Sequence, residues 1–192
     1  MILSDRDIKK ALNSGRIKIY PLPDFSEALG SCSIDLHLGN EFRVFDRSKC
    51  PYIDTRQSFS FEAIMKQVIV LDNQPFIMQP KDFVLAVTRE MIDLADDILG
   101  RIEGRSSLGR LGIIVHGTAS IFDPGWRGKA VMELGNLGNM PVALYPGMRI
   151  CAFTFEELSS SAEVPYRNKK GRKYAGQNEP LVSRLAEEYS II

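Results

Sequence analysis

Three short blocks between residues 104 and 133 carry side chains equipped for chemistry. The first, Gly104-Arg105-Ser106-Ser107-Leu108-Gly109-Arg110, sets two hydroxyls and two guanidiniums among flexible glycines. Guanidiniums pair with phosphate oxygens in a fixed fork, and glycine lets a backbone approach a ligand closely, so this turn suits a polyanion such as a triphosphate. The second, Asp123-Pro124-Gly125-Trp126-Arg127-Gly128, sets a carboxylate at a favoured turn position. The third, Val131-Met132-Glu133-Leu134, holds a lone carboxylate in an apolar, strand-like run. A carboxylate kept from bulk water is suited to moving protons. An anion grip beside such a carboxylate points to nucleotide chemistry.

Each block also has a plainer reading. Ser106 and Ser107 could simply cap a short helix over 106–111, although that helix start would itself offer free N–H groups to phosphate. Arg105 and Arg110 could reach one anion from either end of the turn or be ordinary surface arginines. The order of residues excludes a Walker loop. Asp123 could be a structural turn carboxylate. Alternation places Ala130, Met132 and Leu134 on one face of a strand and Val131, Glu133 and Gly135 on the other; that second face could meet solvent or line a pocket. Neither His37 nor His116 belongs to an H-x-E motif and no C-x2-C pair exists, so the zinc deaminase signature is absent. The basic run Arg167-Asn168-Lys169-Lys170-Gly171-Arg172-Lys173 reads as a solvated tail, a nucleic-acid patch, or a lid closing on a triphosphate with Tyr166, Lys173 and Gln177 turned inward.

The elements that must position these residues are mostly strands. The chain has 192 residues, enough for one domain with a real core, here taken as a core over 1–158 and an arm or lid over 159–192. A helix is expected over 5–14, with Ser4 at its start and Gly15 at its end. Strand-like runs follow at 17–20, 32–37, 41–45, 67–71, 82–88, 98–103, 113–116, 129–134, 141–145 and 149–155, with a second short helix at 59–66. Close spacing and turn residues between the runs favour an antiparallel sandwich or barrel over βα units. Ten of the 15 glycines fall between Gly100 and Gly147, around the anion-binding turn. Twenty-four basic residues balance 24 acidic ones, so no global field draws the protein to nucleic acid or anionic membrane. No apolar run approaches a membrane span, no signal peptide is recognisable, and three scattered cysteines do not make a disulfide framework; a cytoplasmic location is expected.

Read together, the blocks resemble the dCTP deaminase family, which is related to the trimeric dUTPases. The resemblance rests on G-R-S-S-L-G-R at 104–110, H-G-T-A at 116–119, D-P-G-W-R-G at 123–128, V-M-E-L-G-N at 131–136 and P-G-M at 146–148. The tail pattern P-Y-x6-K-Y-x2-Q at 165–177, S-D-R-D-I at 4–8 and S-I-D-L-H-L-G-N at 33–40 extend it over nearly the whole chain.

The resemblance implies a mainly β, dUTPase-like distorted barrel or jelly roll with a short N-terminal helix and a C-terminal arm. It also implies a homotrimer with active sites between subunits, and zinc-independent deamination of dCTP to dUTP and ammonia. Carried over by position, Glu133 is the general base and acid, Ser106 orients the attacking water, and Arg110 acts electrostatically in the same pocket. Arg105, Ser106, Ser107, Leu108, Gly109 and Arg110 grip phosphate, and Asp123 contacts deoxyribose. Val131, Met132 and Glu133 border the base, while Tyr166, Lys173 and Gln177 close from the tail. Mg2+ would ride on the triphosphate with no protein ligands of its own, and dTTP or dUTP would act as inhibitor or product. Relatives that continue to dUMP carry Gln in R-I-[GA]-Q-L, whereas Arg149-Ile150-Cys151-Ala152-Phe153 has Ala152 there. The D-P-G-W form likewise resembles the deaminase-only branch. The expected product is therefore dUTP; the alternatives are a bifunctional enzyme releasing dUMP and, more remotely, a non-catalytic nucleotide or nucleic-acid binder. Gly117 and Ser120-Ile121 depart from the deaminase-only pattern at the base-binding turn, which bears on feedback by dTTP.

Overall fold

The computed structural model describes residues 1–55, 61–71 and 73–188. In chain order the elements are α1 (Asp5–Asn13), β1 (Ile17–Tyr20), α2 (Phe25–Ala28), β2 (Ser33–Phe45), α3 (Phe61–Ile64), β3 (Met65–Ile69), β4 (Phe76–Met78) and β5 (Phe83–Leu94). They continue with β6 (Ile98–Gly104), α4 (Ser106–Gly109), β7 (Ile113–Ile114), β8 (Ile121–Phe122), β9 (Arg127–Asn136), β10 (Val142–Leu144) and β11 (Arg149–Glu157).

Nine strands form one antiparallel sheet along the path β7-β9-β5-β2-β11-β6-β8, with β1 added on β5 and β3 on β2. The long strands change partners along their length. Residues 33–37 of β2 pair with β11, whereas Leu38 and 42–44 pair with β5, and the register shifts between. A second shift interrupts β5 against β9 between Val87 and Met91. Bulges of this kind bend a strand and let one sheet curl around a core. The expected barrel is thus a half-barrel: the end strands β7 and β8 do not pair with each other.

Several sequence expectations are corrected. The runs 32–37 and 41–45 are one strand because Gly39 does not break it; a Cβ there would sit 2.8 Å from the Val87 carbonyl, so glycine permits the close crossing instead. The helix expected over 59–66 is the single turn α3, and Met65 already starts β3, where it pairs with Phe45; residues 59 and 60 lie outside the described residues. Asp24 caps the unexpected α2, its Oδ1 accepting from the Ser26 N–H at 2.9 Å. The short β4 and β8 carry too few residues to show a period. β5 runs to Leu94 because its carboxylate, Glu90, is hydrogen-bonded inside: Glu90 is 1% exposed, its Oε2 accepts the His37 N–H at 2.9 Å, and its Oε1 meets His37 Nδ1 at 2.6 Å.

The core is the inner face of the curl. Ala130, Met132 and Leu134 of β9 are fully buried there beside Ala86, Phe42 and Leu36, as alternation predicts. The opposite face of β9 carries Val131 and Glu133. Beyond β11 the described residues form no further strand, only two 3-10 turns, Tyr166–Asn168 and Leu185–Glu188. The arm nevertheless docks. Lys129 N–H donates to the Gln177 carbonyl at 2.8 Å, Gly176 N–H donates to Arg127 at 2.8 Å, and Val182 packs with Phe61, Ile64 and Met65. No helix among the described residues is long and apolar enough to cross a membrane.

Candidate active site

Glu133 stands in the middle of β9, directly opposite Leu85 of β5. Its backbone is held by Val115, whose carbonyl accepts the Glu133 N–H at 3.1 Å. Its side chain is half-buried, and Oε2 accepts the Gly117 N–H at 2.9 Å. The carboxylate lines a cavity of about 370 Å³ together with Asp123, Val131, Tyr166 and Gln177. Five residues expected in the site, drawn from three separated stretches of sequence, therefore share one pocket within one chain.

Glycine geometry explains how the arm reaches this pocket. Gly128 has φ +150°, and a Cβ there would sit 2.8 Å from the Gln177 carbonyl, so only glycine lets the arm lie against β9. Gln177 is 6% exposed, and its Nε2 donates to the Lys129 carbonyl at 3.2 Å. The Tyr166 ring lies 5.2 Å from Trp126, which in turn meets Phe122 edge-on at 5.2 Å. At the base of the arm, Arg167 Nη2 donates to Asp96 Oδ2 at 2.5 Å.

Other expected residues lie elsewhere. Met132 does not line the Glu133 cavity; its side chain is fully buried in the core. Lys173 turns to Glu188, whose carboxylate raises the pKa of the ammonium. The Arg105–Arg110 turn does not reach the cavity. Arg105, not Ser106 or Ser107, occupies the position before α4, in extended conformation, and no side chain caps the helix. Its guanidinium is committed inward: Nε lies 3.0 Å from Asp35 Oδ2, and Nη1 donates to the Arg149 carbonyl at 2.9 Å. Leu108 is buried and anchors the turn, while Ser106, Ser107, Gly109 and Arg110 are exposed. Arg110 has no ion-pair partner among the described residues.

Sequence reasoning assigned no role to Trp126, Tyr174 or Leu181, all of which line the cavity. The available signal was the presence of Tyr174 and Leu181 as isolated apolar residues in a polar tail. A larger open groove of about 980 Å³, lined by residues from 44–53 and 80–84 and by Ile64, shares only Phe45 and Phe83 with the Glu133 cavity and contains none of the expected residues. Among the described residues, no three or more His, Cys, Asp or Glu side chains gather where they could hold a metal ion.

Comparison with known proteins decides the family. Residues 2–158 match the model of the dCTP deaminase-like family. The chain belongs to that family. A dCTP deaminase of Thermomicrobium roseum is 65% identical over 191 residues, covering 100% of this chain and 97% of that protein. Relatives named dCTP deaminase, dUMP-forming, occur in Dictyoglomus thermophilum, 49% identical over 96% of this chain and 95% of that one, and in Methanosphaera stadtmanae, 46% identical over 100% and 97%. In fold, the chain is similar to the dCTP deaminase of Agrobacterium tumefaciens, with a TM-score of 0.63 at 18% identity, covering 81% of this chain and 48% of that one.

Proposed function

We propose that this member of the dCTP deaminase-like family is a cytoplasmic, zinc-independent hydrolase that converts dCTP to dUTP and ammonia. The observation that carries this reading is the convergence of Glu133, Asp123, Tyr166 and Gln177 on one cavity. Cytosine lies along the 131–133 backbone with C4 beside Glu133, and Asp123 takes the deoxyribose. Water oxygen adds to C4 while Glu133 removes its proton and passes it to N3. Glu133 then takes the remaining hydroxyl proton, the C4–N bond breaks, and that proton leaves with the amino group as ammonia, giving a C4 carbonyl. Ser106 orients the water. Arg110 stabilises the developing charge and, with the 105–109 turn, grips phosphate; Lys173 completes that grip from the arm once it exchanges Glu188 for phosphate.

The exposed 106–110 turn supports delivery of these groups to the cavity of a neighbouring copy in a homotrimer. Mg2+ enters on the triphosphate and neutralises part of its charge. dTTP and dUTP, which share sugar and phosphates with the substrate, compete for the site.

A second reading, continued hydrolysis to dUMP and pyrophosphate, is favoured by the names of relatives 46–49% identical to this chain. Against it stands Ala152, whose methyl offers no hydrogen bond where an amide is expected. Incubation with dCTP and Mg2+ followed by chromatography separates the readings: dUTP with ammonia supports the first, dUMP with pyrophosphate the second. Absence of turnover overturns both.

A further inference from the structure

Gly117 is an exposed residue in the turn after β7, outside every core contact, and its φ is not in the left-handed region. Neither packing nor backbone conformation therefore demands glycine there. What the position does have is Glu133. The Gly117 N–H donates to Glu133 Oε2 at 2.9 Å, and a Cβ added at 117 would lie 3.0 Å from that same oxygen. Two residues earlier, the Val115 carbonyl accepts the Glu133 N–H, and Val115 is 2% exposed. The segment is pressed onto β9 by a second close approach: a Cβ at Gly135 would lie 2.9 Å from Ile114 Cγ1. One rooted tripeptide, 115–117, thus grips both the backbone and the carboxylate of Glu133.

This grip makes the two carboxylate oxygens unequal. Oε2 is occupied by the Gly117 N–H. Oε1 has no protein partner among the described residues and is not sealed from solvent. Resting on the proposed deaminase reading, we infer that Gly117 is a positioning residue: its N–H fixes Oε2, its missing side chain leaves room for that contact, and Oε1 is thereby the oxygen that carries protons between water, N3 and the departing amine. A Cβ at 117 would push Oε2 aside by a few tenths of an ångström; since about 1 Å of misplacement costs on the order of a hundredfold in rate, the shift expected here costs several-fold.

The test is G117A, which keeps the N–H and the backbone conformation but crowds Oε2 by one methyl. Expected is a fall of about three- to tenfold in kcat and in the single-turnover rate, with KM for dCTP within about twofold. The melting temperature should stay within about 2 °C of the parent, since an exposed site away from the core is changed. An unchanged kcat, or a loss carried by KM or by melting temperature, overturns the inference. E133Q assayed beside it separates the two levels. An inactive E133Q with a fully active G117A removes the role of Gly117 and leaves the deaminase reading standing; an active E133Q removes the reading itself.

Discussion

Glu133 and Arg110 arise from neighbouring motifs, yet the fold treats them in opposite ways. Glu133 is held at backbone and side chain, in a strand whose alternate residues are fully buried. Arg110 ends a one-turn helix anchored by Leu108, is exposed, and has no ion-pair partner among the described residues. Arg105, only five residues earlier, is spent on Asp35 and the Arg149 carbonyl. The 105–110 turn therefore divides into an inward guanidinium, paired with Asp35, and an outward one with no ion-pair partner among the described residues. In the proposed reaction, the carboxylate that moves protons sits on a rigid element, whereas the cation proposed to serve another copy of the chain stands on its surface.

The largest expected effect comes from the rigid half. E133Q should lower deamination by about 10²–10⁴-fold while dCTP still binds, measured by single-turnover kinetics and calorimetry. R110A should cost about 10²–10³ in kcat with no change in melting temperature, because its side chain makes no ion pair among the described residues. If R110A instead unfolds the protein, the contrast between the two halves fails. Truncation after Val164 removes the docked arm and should raise KM for dCTP about tenfold or more, the loss of at least one hydrogen bond to a charged group, while circular dichroism stays unchanged. G128A should lift the same arm through its clash with Gln177 and raise KM by a smaller factor, about three- to tenfold. Smallest is a test of the wall behind the turn. Cys151 pairs with Gly104 across β6 and β11, and burial raises its thiol pKa well above the usual range. At pH 8 a thiol reagent should label exposed Cys32 at once and Cys151 only on unfolding.

Local pattern carried much of this into the sequence. Alternation in Ala130–Leu134 already separated the core face from the Glu133 face, and Ser4 with Gly15 bracketed α1. What escaped depends on long-range hydrogen bonds or on close crossings. Glu90 argues against a strand until His37, 53 residues away, is known to sit beside it. Gly39 reads as a break until Val87 is known to cross there. Arg105 and Arg110 look alike in sequence, and only the position of Asp35 on β2 tells them apart. Gly117 stood out as a departure from pattern, but its link to Glu133 needed the turn to be folded back on β9.

The central claim, a deamination site built from Glu133 of one copy and Arg110 of another, is tested most directly by mixing. E133Q and R110A are each purified, shown to be inactive, unfolded together in equal amounts and refolded as mixed oligomers. In a cyclic trimer with sites between neighbours, one site in four combines an intact Glu133 with an intact Arg110, so dCTP deamination should return to about a quarter of the parent rate. Activity that stays at the level of the separate variants would contradict a site shared between subunits.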